Sequence, residues 1–560
     1  MTVYTSPWPK IDLPECSVWE KVWSNPTKQS DDHPAVIDGV SGKVLSRRDL
    51  KYLSQRLAHG FVHTAKLKKG DVVLAMSPNS IHYHAIVLAT QCAGLVFSGA
   101  NAAYTSAELA HQVEDSGAKL LLIHPSVLDV ALSSTSSLGW SAQQQNDRIV
   151  LAAKSNELGS SPSKGFRTLE ALISKELLEP VKIEKPKETV AYMCYSSGTS
   201  GKAKGVKTSA YNMTSVMTMF EPLKLYKPDV LVAVLPLNHI YGLTKLCHWP
   251  IMHANPVVIL PRFELTALCT VIQRYKVTVL LLVPPIALLL ARQPAVDKFD
   301  LSSLRLIISG AAPLGPELEE ELAQKTGAVV MQGYGLTETS PTTHVGINAP
   351  RGSIGPLLPA MEARLVDPET GKDVARSETG ELWLAGPNVM LGYHNRPEAN
   401  EEMMIPDSSV PSKIWLRTGD IGHEKDDIWY ISDRLKELIK VKGFQVPPAE
   451  LEAALLACPY VADVAVIGVW NEAEQTEFPR GYVVLSAEGK KEKDAVAAIH
   501  QWTNGKIAAY KRLKGGIKLV EAVPKSPSGK ILRRILRDEV KKEMATAKAQ
   551  NEASQQSARI

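Results

Sequence analysis

The longest apolar run in the chain, VTVLLLVPPIALLLA from Val277 to Ala291, is broken in the middle by two consecutive prolines. At fifteen residues it falls short of the roughly 20 that a membrane-spanning helix needs. Proline has no N–H for a strand ladder, but its fixed φ suits the first position of a helix. The run therefore predicts a buried strand that turns directly into a buried helix, which is half of a βα unit. The start, MTVYTSPWPKIDLPECSVWE, lacks a basic head followed by an apolar stretch and argues against a secretory leader.

The same alternation recurs through the first half. Ser46 with Asp49, and Thr105 with Glu108, have the spacing of capping boxes, and each is followed by apolar residues at helical intervals. Short apolar strands are expected at Asp71–Ala75, Ala118–His124, Val230–Leu235, Leu280–Val283 and Leu304–Ser309. Pro316 opens, and Gly327 closes, a further helix. Such alternation implies parallel sheets covered by helices. The Ser-rich and Lys/Glu/Pro-rich stretch over 150–190 reads as a surface excursion. A boundary falls near Ile431–Lys436, followed by a helix (PPAELEAALLA) and strands at Val464–Val469 and Tyr482–Leu485. The expected class is α/β: a large N-terminal domain of helix-covered sheets (1–432), a small mobile α+β C-terminal lid (433–545) and a flexible tail (546–560).

Charge and thiols narrow the function. The balance of 63 basic to 59 acidic residues is too even to imply nucleic acid, and no basic tract carries interleaved aromatics. The six cysteines show no CxxC pair and no clustering with histidine, so buried free thiols are expected rather than disulfides or a zinc site.

Phosphate chemistry is suggested by YSSGTSGKAKGV, Tyr195 to Val206. Glycines beside hydroxyl residues let successive N–H groups converge on an anion, and Lys202 and Lys204 add positive charge. It is not a Walker A loop, because Ser196 stands where that pattern needs glycine, and no GxGxxG occurs here or in GYGLTE.

In order along the chain come SSGTSGKAKG, LPLNHIYG (235–242), SGAAPL (309–314), QGYGLTET (332–339), RTGD (417–420), DRLKELIKVKGFQVPPAE (433–450) and PKSPSGK (524–530). Together they resemble the adenylate-forming superfamily of acyl- and aryl-CoA synthetases, 4-coumarate–CoA ligases and beetle luciferases. The resemblance runs from about residue 30 to about residue 540. It implies that a carboxylic acid and ATP give acyl-AMP and pyrophosphate, and that the acyl group then passes to coenzyme A. A luciferase-like oxygenase, or an enzyme loading a carrier protein, is the alternative.

The resemblance also implies roles. Ser196, Ser197, Gly198, Thr199, Ser200, Gly201 and Lys204 would hold the phosphates. Ser200 stands for a more frequent Thr, and Ala203 for a usual Pro. Gln332, Gly333, Tyr334 and Gly335 would meet the nucleotide, with Tyr334 against adenine. Thr337 would bond the α-phosphate and Glu338 would hold Mg²⁺. Asp420 and Arg434 would take the ribose, and His239 would gate the acyl site. Lys530 would serve adenylation. Lys440, Gly443 and Gln445 would serve thioester formation after rotation at a hinge, Lys436. The acid pocket would be lined by Tyr241, Lys245, Ile308, Ala311, Gly333, Gly335, Pro341 and Thr342. Lys245 is unusual there: it pairs with an acidic or hydroxylated substrate or, the preferred reading, points to solvent. The final Ala558-Arg559-Ile560 resembles a degenerate peroxisomal S-K-L signal for an import receptor.

Overall fold

In the computed structural model the broken apolar run folds as its prolines dictate. Val279–Leu282 is a strand, Val283 is extended, and Pro284 opens the helix Pro284–Arg292. A residue before proline avoids the helical region, which ends the strand and aims the helix in one step. The structure describes residues 2–158, 163–196, 202–225, 227–442, 444–472, 474–526 and 529–543. They divide into two units. The first is Met1–Arg364, Trp383–Thr418 and Lys425–Trp429; the second is Leu365–Leu382, Gly419–Glu424 and Tyr430–Ile560.

The first unit contains two largely parallel sheets, together with strands Tyr4–Thr5 and Met404–Pro406 of a further, six-stranded sheet. Strand Val279–Leu282 lies inside an eight-stranded sheet, flanked by Leu306–Ser309 and Leu231–Ala233. That sheet turns antiparallel only at its ends, where Thr342–Val345 pairs with Val329–Gly335 and Val44–Ser46 with Pro34–Asp38. The second sheet has seven strands, with Val72–Met76 between Val96–Ala100 and Leu120–Ile123. These central strands are apolar and buried throughout because helices cover parallel sheets on both faces.

The expected caps are present. Ser46 and Thr105 each accept from the third backbone N–H of helices Arg47–His63 and Ser106–Ser116, and Asp49 and Glu108 reach back. Helix Pro316–Thr326 ends at Gly327 in the left-handed region. The 150–190 stretch is more than a surface excursion. Its strand Arg167–Thr168 extends the seven-stranded sheet at one edge, and Leu169 and Leu172 are buried. Their apolar spacing was too short to show as a strand.

The second unit holds a three-stranded sheet of Val461–Asn471, Thr476–Leu485 and Ile517–Leu519, and a hairpin of Ile439–Val441 with Phe444–Val446. Helix Pro448–Leu456 packs Leu451 and Leu455 into its core with Val464, Val466 and Val483. A second buried feature is ionic: Arg533 bonds Glu437 and both carboxylate oxygens of Glu452. The described cysteines are free, and all but Cys16 are buried. Among the described residues no helix is long and apolar enough to cross a membrane.

Candidate active site

In open α/β sheets, ligands gather beyond the carboxyl ends of the strands. The sequence motifs of the first unit all leave strands at that end. Ser196 closes Val190–Ser196, SGAAPL follows Leu306–Ser309, GYGLTET closes Val329–Gly335, and LPLNHIYG follows Leu231–Ala233.

The centre of this region is Glu338, on a single turn, Thr337–Thr339, and only 8% exposed. One carboxylate oxygen, Oε1, accepts from Tyr393 Oη at 2.8 Å and from Ser196 Oγ at 3.1 Å. Its backbone carbonyl accepts Met390 N–H at 2.9 Å. The carboxylate is thus held by two neutral hydroxyls rather than by a cationic partner. Lys204 stands close by, its Nζ 4.9 Å from the Tyr393 ring centroid. Strand Lys204–Ser209 places it opposite Ser196. Beside it, His111 Nε2 and the Ala203 carbonyl are 2.9 Å apart, which ties down the position where the loop lacks proline.

A hard cation such as Mg²⁺ binds through one or two carboxylates together with phosphate oxygens. Glu338 fits that pattern. Among the described residues no group of three or more His, Cys, Asp or Glu could hold a metal by itself.

The GYGLTET turn is braced from outside. Asn388 Nδ2 donates to the carbonyls of Thr339 and Thr342 at 2.7 and 2.8 Å. Gly335 is required there, since a Cβ would lie 1.8 Å from the Pro341 carbonyl oxygen. Tyr334 meets His344 edge-on at 5.6 Å, and burial pushes the His344 imidazole down to about 3. Gln332 is occupied by the protein itself: its amide accepts Leu314 N–H at 2.8 Å and donates to Leu314 O at 3.0 Å, fixing the end of SGAAPL.

The acid-pocket candidates also converge. Tyr241 Oη donates to Ile308 O at 3.1 Å, and its ring lies over Gly310, where a Cβ would come within 3.2 Å. His239 Nδ1 accepts Tyr241 N–H at 3.3 Å, which caps the turn that carries the tyrosine. Ala311 adopts φ 68°, the left-handed region that ordinary side chains avoid. Thr342 pairs with Gly335 across the two strands, and Pro341 precedes it. Lys245 departs from the preferred sequence reading, because it is 7% exposed rather than solvent-facing. It sits on the wide-turned segment Leu243–His248, with its amine over the Phe220 ring and near Trp249.

In the second unit, Asp420 is 3% exposed and its Oδ1 lies 3.2 Å from Arg434 Nε, so the two expected ribose residues are brought together. Glu437, next to the expected hinge Lys436, is the residue tied to Arg533. Lys440 and Gln445 face each other across the hairpin, and Lys440 N–H donates to Glu477 at 2.8 Å. Lys530 donates its N–H to Ser526 Oγ at 3.1 Å, in a turn closed by Ser526 N–H to Lys530 O at 2.8 Å. Ser197, Gly198, Thr199, Ser200, Gly201, Gly443, Ala558, Arg559 and Ile560 lie outside the described residues. Sequence reasoning missed Tyr393, Asn388 and His111. Each acts from a distant part of the chain, and only the fold brings it to its motif.

Comparison with known proteins bears on the whole chain. The model of the AMP-binding enzyme family matches residues 22–394, and that of the AMP-binding enzyme C-terminal domain matches residues 450–530. The chain is 37% identical to a probable 4-coumarate–CoA ligase 1 of Dictyostelium discoideum, over 96% of this chain and 98% of that protein. It is 35% identical to 4-coumarate–CoA ligase 1 of Arabidopsis thaliana, over 96% and 95%. An ATP-bound MatB from Rhodopseudomonas palustris superposes with a TM-score of 0.79 at 27% identity, covering 93% of this chain and 98% of that one.

Proposed function

This chain belongs to the AMP-binding enzyme family, and from that premise we infer that it is an acid–CoA ligase, joining a carboxylic acid to coenzyme A at the expense of ATP. The observation that carries the reading is similarity along 96% of the chain to proteins named 4-coumarate–CoA ligases. A luciferase-like or carrier-loading reading is not favoured, since the relatives matched along nearly the whole chain are named 4-coumarate–CoA ligases.

The chemistry asks for few groups. A carboxylate approaching a triphosphate is repelled, so the protein must neutralise and align the two. Lys204 and the loop residues Ser196 to Gly201 hold the phosphates, with Ser197, Gly198, Thr199 and Ser200 supplying N–H groups and hydroxyls. Thr337 donates to the α-phosphate. Glu338, whose Oε1 is bonded by Ser196 and Tyr393, would hold Mg²⁺, which would screen phosphate charge when bound. Tyr334, with Gln332, Gly333 and Gly335 around it, faces adenine. Asp420 offers two acceptor sites to the ribose hydroxyls, and Arg434 orients it. Lys530 sits between carboxylate and α-phosphate during adenylation. Lys440, Gly443 and Gln445 serve thioester formation, and Lys436 is the hinge that exchanges one arrangement for the other. The acid lies among Tyr241, Ile308, Ala311, Pro341 and Thr342, with His239 at the reacting carboxyl. The tail Ala558-Arg559-Ile560 is part of the proposal too, as a peroxisomal import signal.

Two substitutions test the division of labour. Lys530→Ala should lower acid-dependent pyrophosphate release by about 10²-fold or more, the scale of losing one transition-state charge partner. Lys440→Ala should leave that step near normal while slowing thioester formation. Equal loss of both steps in Lys440→Ala would contradict the two-lysine scheme.

A further inference from the structure

Glu338 is held by hydroxyls from two distant segments, and both segments trace back to one buried carboxylate. Asp115 stands near the end of helix Ser106–Ser116, its side chain 8% exposed. Its two oxygens are divided between two partners. Oδ2 accepts from Tyr195 Oη at 2.7 Å, and Oδ1 accepts from Arg396 Nη2 at 2.8 Å. Asp115 and Arg396 lie 281 positions apart, and neither belongs to a sequence motif.

A buried carboxylate persists where its charge is paired and its lone pairs are filled. Arg396 supplies the counter-charge and Tyr195 the neutral donor. Burial, and then the adjoining carboxylate, hold the Tyr195 phenol well above its ordinary value, so its oxygen keeps the proton it donates.

Each arm leads on to Glu338. Tyr195 and Ser196 are neighbours on strand Val190–Ser196, where successive side chains face opposite ways. Tyr195 therefore takes the helix on one face, while Ser196 Oγ donates to Glu338 Oε1 at 3.1 Å. On the other arm, Arg396 follows three residues after Tyr393, whose Oη donates to the same Oε1 at 2.8 Å. The link between them is short and bonded: Asn395 turns it at φ 51°, and His394 N–H donates to Gly205 O at 2.7 Å. The contacts close into a circuit that runs from Asp115 through Tyr195 and Ser196 to Glu338, and back through Tyr393 and Arg396.

His111, four positions before Asp115 and so on the same helix face, adds a second hold. Its Nε2 lies 2.9 Å from Ala203 O, and since a carbonyl only accepts, Nε2 donates. Ala203 precedes Lys204, which pairs with Ser196 across the hairpin. One helix face thus fastens both strands of that hairpin where they meet the phosphate loop.

We propose that Asp115 is a positioning residue for the nucleotide half of the reaction: it fixes Ser196 and Tyr393 at one oxygen of Glu338 and thereby sets the orientation of the carboxylate that meets ATP. The proposal rests on the acid–CoA ligase reading and adds a residue that acts through others. Loss of Asp115 releases Tyr195 and Arg396 together, and so loosens both donors to Glu338 in one step. A displacement of about 1 Å at a reacting centre can cost roughly 10²-fold in rate, so a remote residue can have a large effect.

The test compares wild type with Asp115→Ala and with the near-isosteric Asp115→Asn, which keeps an acceptor for Tyr195 and loses the charge facing Arg396. ATP binding in the presence of Mg²⁺ is measured by calorimetry without acid. Pyrophosphate release then gives kcat and KM, with benzoic, 4-coumaric, hexanoic and palmitic acids as probes. Asp115→Ala should weaken ATP binding and lower kcat/KM for ATP by about tenfold or more, with KM for the acid within about twofold of wild type. Asp115→Asn should fall between the two, and it carries the comparison should the alanine variant fail to fold. In a Glu338→Gln background, where the charge to be oriented is gone, Asp115→Ala should cost less than about twofold further. A full loss in that background, equal weakening toward ATP and acid, or wild-type ATP binding in both variants overturns the proposal. The ligase reading fails separately, if wild type binds ATP but forms no thioester with any of the four acids and coenzyme A; the binding comparison still decides the role of Asp115. Wild type that binds no ATP overturns both.

Discussion

Glu338 and Lys245 are buried to nearly the same degree in the same unit, at 8% and 7% exposure, yet they are treated oppositely. Glu338 has two hydroxyl donors on one oxygen, from Tyr393 and Ser196. Lys245 has an aromatic ring and, among the described residues, no acceptor. The contrast separates two uses of a buried charge. A carboxylate satisfied by neutral donors is fixed in position without a cationic partner. An amine left without an acceptor keeps its hydrogen-bonding capacity unmet within the fold.

Removing the satisfied charge should have the larger effect. Glu338→Gln is expected to lower pyrophosphate release on the order of 10²-fold with every acid, because it acts on the nucleotide side. Tyr393→Phe, which removes one donor and keeps the carboxylate, should cost about tenfold, the scale of one hydrogen bond to a charged group. If Glu338→Gln instead altered the preference among acids, the separation of the two regions would fail.

Stability gives the smallest and sharpest contrast. The Lys245 ammonium is depressed by burial in the fold and ordinary in the unfolded chain. Between those two values the unfolded chain binds more protons, so wild-type stability rises with pH through that window. Lys245→Met has no such group. Its melting temperature should exceed that of wild type by a few degrees at neutral pH, with the gap closing toward about pH 10, near the ordinary lysine value. A gap that widens with pH would show that Lys245 is charged and paired in the fold.

Much of this was legible in the sequence, and the reason is locality. The broken run at Pro284, the capping boxes at Ser46 and Thr105, and the helix Pro316–Thr326 are set by residues within a few positions of one another. Asp420 and Arg434, both expected at the ribose, are found paired. What the sequence hid is contact over distance. Tyr393 lies 55 positions from Glu338, and Arg533 lies 96 and 81 positions from Glu437 and Glu452. No spacing rule reaches that far. Lys245 was misjudged for a related reason. A lysine in an apolar stretch is ordinarily drawn to water along its own stem, and only the packing of Phe220 and Trp249 shows that this one is not.

The central claim, an acid–CoA ligase working through an adenylate, is tested most directly by the products of one incubation with ATP, a carboxylic acid and coenzyme A. The account predicts AMP, pyrophosphate and acyl-CoA in equal amounts, with pyrophosphate still released at a low level when coenzyme A is left out. ADP and phosphate as products, or AMP formed with coenzyme A present and no thioester, would contradict it.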